Sequence, residues 1–148
     1  MTIVIDANLV VALALPLPYA DLATAAISHW IAQDEQLIAP MLMEYEIVTA
    51  IRRGVANGQL REQRALPILY ELRESGVQSI APTAELHEQA LYWAGRVSQH
   101  KAYDAQYLAL AAREDAHFWT ADRRLAAAAQ AAGLEWVHWI GDWNDATA

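Results

Sequence analysis

Cysteine is absent from the 148-residue chain. This excludes disulfides and thiolate metal ligands and fits a reducing cytoplasm. Long apolar runs are missing too. The stretch "LVVALALPLPYA" at 9–20 is too short to cross a membrane and is broken by Pro16 and Pro18, so it reads as a buried helix followed by a loop. No basic segment precedes it, and Asp6 sits within the apolar opening, so no export signal is expected. The expectation is a soluble, cytoplasmic protein without membrane contact.

Basic side chains are scarce. Ten Lys and Arg stand against 18 Asp and Glu, a formal net charge of −8, which argues against broad, nonspecific phosphate binding because that needs cations to release counterions. Any contact with nucleic acid has to be local. The arginines do cluster, with Arg52, Arg53, Arg61 and Arg64 in one group and Arg123 beside Arg124 in another, although such runs are commonly solvated helix faces. No low-complexity tract, linker or internal repeat is present. With 55% hydrophobic and 19% charged residues, the chain reads as one ordinary globular domain spanning 1–148.

What is present is an alternation of short β-rich runs and helical patterns. "TIVI" at 2–5, "QLIA" at 36–39, "VQSI" at 77–80, "HFWT" at 117–120 and "WVHWI" at 136–140 are candidate strands. Between them, apolar residues recur at helical spacing: Leu22, Ile27, Trp30 and Ile31; Ile47, Val48, Ile51 and Val55; Leu86, Ala90, Leu91, Ala94 and Val97. Strands separated by helices predict an α/β fold with a mostly parallel sheet covered on both faces. Pro67 is expected to kink or split the helix that contains it.

Four carboxylates occupy suggestive places. Asp6 follows a strand directly and Asp122 follows another after Ala121, and each opens a helix, where it suits either an N-cap or a ligand position at the carboxyl edge of a sheet. Asp104 stands at the start of a helix, which favours a cap, and Glu46 borders the apolar face of another. Together they can converge on one edge. At about 4 Å and an effective dielectric of about 20, two carboxylates repel by roughly 4 kcal/mol, so such a cluster requires protons or a cation. Oxygen donors alone suit Mg²⁺ or Mn²⁺. His29, His87, His100, His117 and His138 show no zinc-type spacing.

Four segments in order, "IVIDANLV" with Asp6, "APMLMEYEIVTAIRR" with Glu46, "AYDAQYLALA" with Asp104 and "FWTADRRLAAAA" with Asp122, give the chain a resemblance to the PIN-domain ribonucleases, and within them to the VapC-type toxins of toxin–antitoxin pairs. The resemblance implies an α/β/α sandwich with strand order 3-2-1-4-5 and metal-dependent RNA cleavage. It implies that Asp6, Glu46, Asp104 and Asp122 hold the cation, with Asn8 and Thr120 as secondary site residues. Arg52, Arg53, Arg123 and Arg124 are the candidate rim for the RNA backbone. A small antitoxin partner and a homodimer are implied as well, with Trp136, Trp139 and Trp143 as candidate aromatic surface. The family often carries Ser or Thr near the Glu46 segment, and "PMLMEYE" has none.

Two other functions fit parts of this pattern. An aspartyl phosphotransferase would use a strand-end Asp with a second acid two residues later, but that position is Asn8, and no phosphate-binding glycine loop is present. A catalytically inactive, protein-binding domain of the same fold would leave the four acids without chemical work.

Overall fold

A computed structural model gives the structure of the protein and describes residues 1–99 and 102–144. His100 therefore lies outside the described residues. The elements are β1 (Thr2–Ile5), α1 (Ala7–Val11), α2 (Ala20–Ala32), β2 (Gln36–Pro40), α3 (Leu42–Ala56), α4 (Glu62–Arg73), β3 (Gln78–Ile80), α5 (Ala84–Arg96), α6 (Tyr103–Glu114), β4 (His117–Thr120), α7 (Arg123–Ala131) and β5 (Val137–Trp139). A short 3₁₀ turn at Ile140–Asp142 follows β5. The strands form one parallel sheet in the order β3-β2-β1-β4-β5, as expected.

Buried side chains alternate across the sheet and fix its two covering layers. In β4, Phe118 turns to α6, where Tyr107 stacks on it with ring centroids 5.5 Å apart and planes at 13°. Its neighbour Trp119 turns the other way and meets Trp30 of α2 at 5.7 Å. Helices therefore cover both faces of one α/β domain. The interior of β1 is apolar on both faces, with Ile3, Val4 and Ile5 buried, as a strand covered on both faces requires.

Several local expectations are corrected. Pro67 lies inside α4, which continues from Glu62 to Arg73, so the helix is not split there. Only one intrahelical hydrogen bond is lost at a proline, and the buried Ile68 and Leu72 anchor the helix beyond it. Leu22, Ile31, Val48 and Leu91 keep the helical spacing but are exposed, because each sits at the margin of its apolar stripe. Trp143 is buried and Trp136 and Trp139 are half-buried, so this aromatic segment is largely spent on the core. Gly141 is needed where it stands, since a Cβ there would collide with the Trp139 ring. Among the described residues no helix is long and apolar enough to cross a membrane.

Candidate active site

The sheet reverses direction of growth between β1 and β4, and open α/β sheets bind ligands beyond the carboxyl ends of strands at such a point. Asp6 is the residue after β1 and is only 7% exposed. It is the N-cap of α1, accepting from the Leu9 N–H at 3.0 Å. Its second oxygen accepts from the Thr120 hydroxyl at 2.5 Å and from the Ala121 N–H at 3.0 Å. The cap and ligand readings are thus compatible. Burial pushes the Asp6 carboxyl above the usual carboxylate range, and these donors offset only part of that rise.

Thr120, 1% exposed at the end of β4, links two of the acids. Its hydroxyl donates to Asp6 and accepts from the Asp122 N–H at 3.0 Å. Asp122 is the exposed N-cap of α7, accepting from the N–H groups of Arg124 at 2.8 Å and Leu125 at 3.1 Å. Asp104 lies in the first turn of α6 and makes no cap bond, the cap position being Ala102, so the capping expectation is overturned. Burial, and then the charge of Asp122, raise its carboxyl.

Glu46 projects from α3 toward the same edge. Burial pushes it up to about 7, and the charges of Asp6 and Asp104 add to the rise. The four carboxylates thus form one electrostatic group, while among the described residues the ion pairs, Met1 with Glu35 and Arg113 with Glu114, lie elsewhere. A cavity of about 380 Å³ opens here, lined by Asn8, Tyr45, Glu46, Thr49, Arg53 and Asp104 among others. Of the four candidate rim arginines, only Arg53 lines it. Arg52 lines a separate groove between α3 and α4, and the Arg123 guanidinium lies over the Trp139 ring, 5.0 Å from its centroid.

Two residues of this crevice escape a reading by segment. Thr49 supplies a hydroxyl one turn after Glu46, where "PMLMEYE" has none. Tyr107 stands one turn after Asp104, is 1% exposed, and has a hydroxyl with no hydrogen-bond partner. That hydroxyl faces Glu46 and lowers its carboxyl as a donor, yet falls short of hydrogen-bond geometry. The i, i+3 spacing of Glu46 with Thr49 and of Asp104 with Tyr107 was the available signal.

The Glu46 shift has a measurable consequence. In the unfolded chain this group ionises near 4.5 and in the folded protein near 7, so its stabilising effect is complete below 4.5 and is lost as pH rises to 7. In the presence of chelator, the advantage of Glu46→Gln over the parent should therefore open between those values and stay level above. After discounting for solvent screening, about 1–2 kcal/mol is expected, or roughly 2–6 °C in melting temperature. A gap that is the same at all pH values would contradict this electrostatic account.

Fold and site together define an α/β protein with an acid-lined crevice at the switch point of a parallel sheet. The PIN domain family model matches residues 3–131, and the chain belongs to that family. Family membership supports a nuclease activity. Among solved structures, a Pyrobaculum aerophilum protein is similar at a TM-score of 0.69 and 21% identity, over 95% of this chain and 85% of that one. A Rickettsia felis VapBC complex bound to a DNA fragment from its promoter gives 0.68 at 10% identity, over 94% and 98%. A sarcin–ricin loop cleaving VapC toxin of Mycobacterium tuberculosis gives 0.62 at 19%, over 85% and 94%. At these identities the likeness is one of fold. A comparison with curated proteins finds no match.

Proposed function

We propose that the chain is a divalent-metal-dependent endoribonuclease that hydrolyses RNA phosphodiester bonds and acts as the toxin of a toxin–antitoxin pair. The observation that carries this reading is the buried Asp6 carboxylate, grouped with Glu46 and Asp104, all three raised and none neutralised by a cationic side chain among the described residues. Such a group favours a bound cation. The donors are oxygens alone, which suits Mg²⁺ or Mn²⁺. Among the described residues no three His, Cys, Asp or Glu side chains are arranged to hold an ion. This is compatible with Mg²⁺, which commonly takes one or two carboxylates and keeps several waters.

Asp6, Glu46, Asp104 and Asp122 are the residues that would hold it, directly or through water. A divalent cation supplies a lowered water pKa and neutralises charge developing on a phosphate. Asp6 is held in one orientation by three donors, so its carboxylate is preorganised. Thr120 couples that orientation to the start of α7 and hence to Asp122. Asn8 lines the same cavity as a secondary residue that would hydrogen-bond the carboxylates or a metal-bound water. Arg53 lines it where it would hold the RNA backbone, with Arg52, Arg123 and Arg124 as more distant contacts.

The toxin role draws on the R. felis and M. tuberculosis relatives, and a homodimer in the cytoplasm is part of the same proposal. The test is to sequence RNA 5′ ends after brief induction of the parent chain and of Asp104→Asn. New ends at defined sites with the parent only are expected. Identical end profiles would overturn the ribonuclease reading.

A further inference from the structure

Tyr107 is buried at 1% exposure, and its ring is pinned by stacking on Phe118 at 5.5 Å and 13°. It is placed by the interior of α6, one turn beyond Asp104, so it has little freedom to seek another partner. Its hydroxyl nevertheless makes no hydrogen bond of ordinary geometry, lying near the Glu46 carboxyl and the Ala7 backbone N–H without closing on either. A phenylalanine would fill the same volume without desolvating a hydroxyl, and in the metal-free arrangement the oxygen has only weak interactions with Glu46 and the Ala7 N–H to offset that cost. A use does exist in a second arrangement. An ionised carboxylate is an acceptor with several lone pairs, and a hydrogen bond to it is roughly twice as strong as one between neutral groups.

We propose that Tyr107 is a positioning residue: with a divalent cation in the crevice, its hydroxyl donates to the Glu46 carboxylate and fixes which oxygen that group turns to the ion. This rests on the metal-dependent reading above. It turns a weak interaction of the hydroxyl into a well-formed hydrogen bond and gives Glu46, on a different helix, a defined orientation. Groups that orient a metal ligand in this way commonly change metal affinity about 10- to 100-fold when removed.

The test is a double-mutant cycle read by Mn²⁺ binding calorimetry on the parent, Tyr107→Phe, Glu46→Gln and the double variant. Tyr107→Phe should weaken Mn²⁺ binding by roughly 10- to 100-fold when Glu46 is present. When Glu46 is already Gln, the same change should have less than about a twofold effect. The metal-free melting temperature of Tyr107→Phe should stay close to that of the parent, since only weak interactions of the hydroxyl with Glu46 and the Ala7 N–H are removed. Equal losses in both backgrounds, unchanged affinity, or a markedly lower metal-free melting temperature would each overturn the proposal. Loss of Mn²⁺ binding in Asp6→Asn with no change in Tyr107→Phe would overturn it while supporting the metal site. A parent chain that takes up no Mn²⁺ at millimolar concentration would overturn both.

Discussion

Asp6→Asn, Asp104→Asn and Asp122→Asn are each expected to lower divalent-dependent RNA cleavage by about a thousandfold, the loss of several kcal/mol of transition-state stabilisation. Their effects on folding should diverge, and this divergence separates the site from its scaffold. Asp104 makes no cap bond and is raised by burial and by Asp122, so Asn at this position relieves repulsion and raises the metal-free melting temperature. Asp122 is an exposed N-cap, where Asn serves as well, so its replacement should be close to neutral.

Asp6 is different. Both its oxygens accept, from Leu9, Thr120 and Ala121, and an Asn amide must turn an NH₂ toward one of those donors. One buried donor then loses its partner, at about 1–3 kcal/mol, and the metal-free protein should melt lower. Cleavage assays with each variant, beside thermal melts in chelator, check both halves. Undiminished cleavage by any two of the three would remove the catalytic assignment.

An inhibitory partner is expected to work by placing an arginine among these acids, and raising Mg²⁺ to ten times its dissociation constant should weaken that inhibition about tenfold. A planar guanidinium binds a carboxylate through two parallel hydrogen bonds and competes for the charge that a cation would otherwise neutralise. The route to the acids runs along α3. One side of this helix carries Glu46, Thr49 and Arg53 into the acid cavity. Its other side, with Val48, Ile51 and Val55, forms a groove of about 210 Å³ against Ala65, Leu66 and Leu69 of α4.

Tyr45, Val48, Leu66 and Tyr70 are exposed along this pair of helices, an apolar surface suited to an amphipathic helix. The apolar segment "LVVALALPLPYA" contributes little to such a surface, because most of its residues are buried or half-buried. Inhibition measured across Mg²⁺ concentrations, with the co-expressed product of the neighbouring gene and with its arginines replaced, is the check. Inhibition insensitive to both would mean that the partner merely covers the RNA path.

Much of this architecture is legible in the residues because it follows from local rules. Three β-branched residues before Asp6 identify β1, and an acid closing an apolar strand is costly enough to signal a site. Alternation of strands and helices predicts the parallel sheet, and the ordered four-segment resemblance supplies its strand order. Less legible is whatever depends on a neighbouring element. The helical spacing that includes Val48 and Leu91 cannot tell the margin of an apolar stripe from its centre, which depends on how α3 and α5 are rotated against the core. Arg52 and Arg53 are adjacent in the chain yet serve opposite sides of α3, since consecutive helical residues point about 100° apart. Tyr107 reads as a core aromatic, and only the fold brings its hydroxyl near Glu46, on a different helix, without a well-formed hydrogen bond.

The central claim is that these acids cleave RNA with the aid of a divalent cation. Its most direct measurement is cleavage of one end-labelled RNA by the purified, chelator-treated chain as Mg²⁺ or Mn²⁺ is restored. The account predicts no cleavage before metal is added, saturable recovery with added ion, and no recovery in Asp104→Asn. Cleavage that persists in chelator, or that Asp104→Asn retains in full, would contradict it.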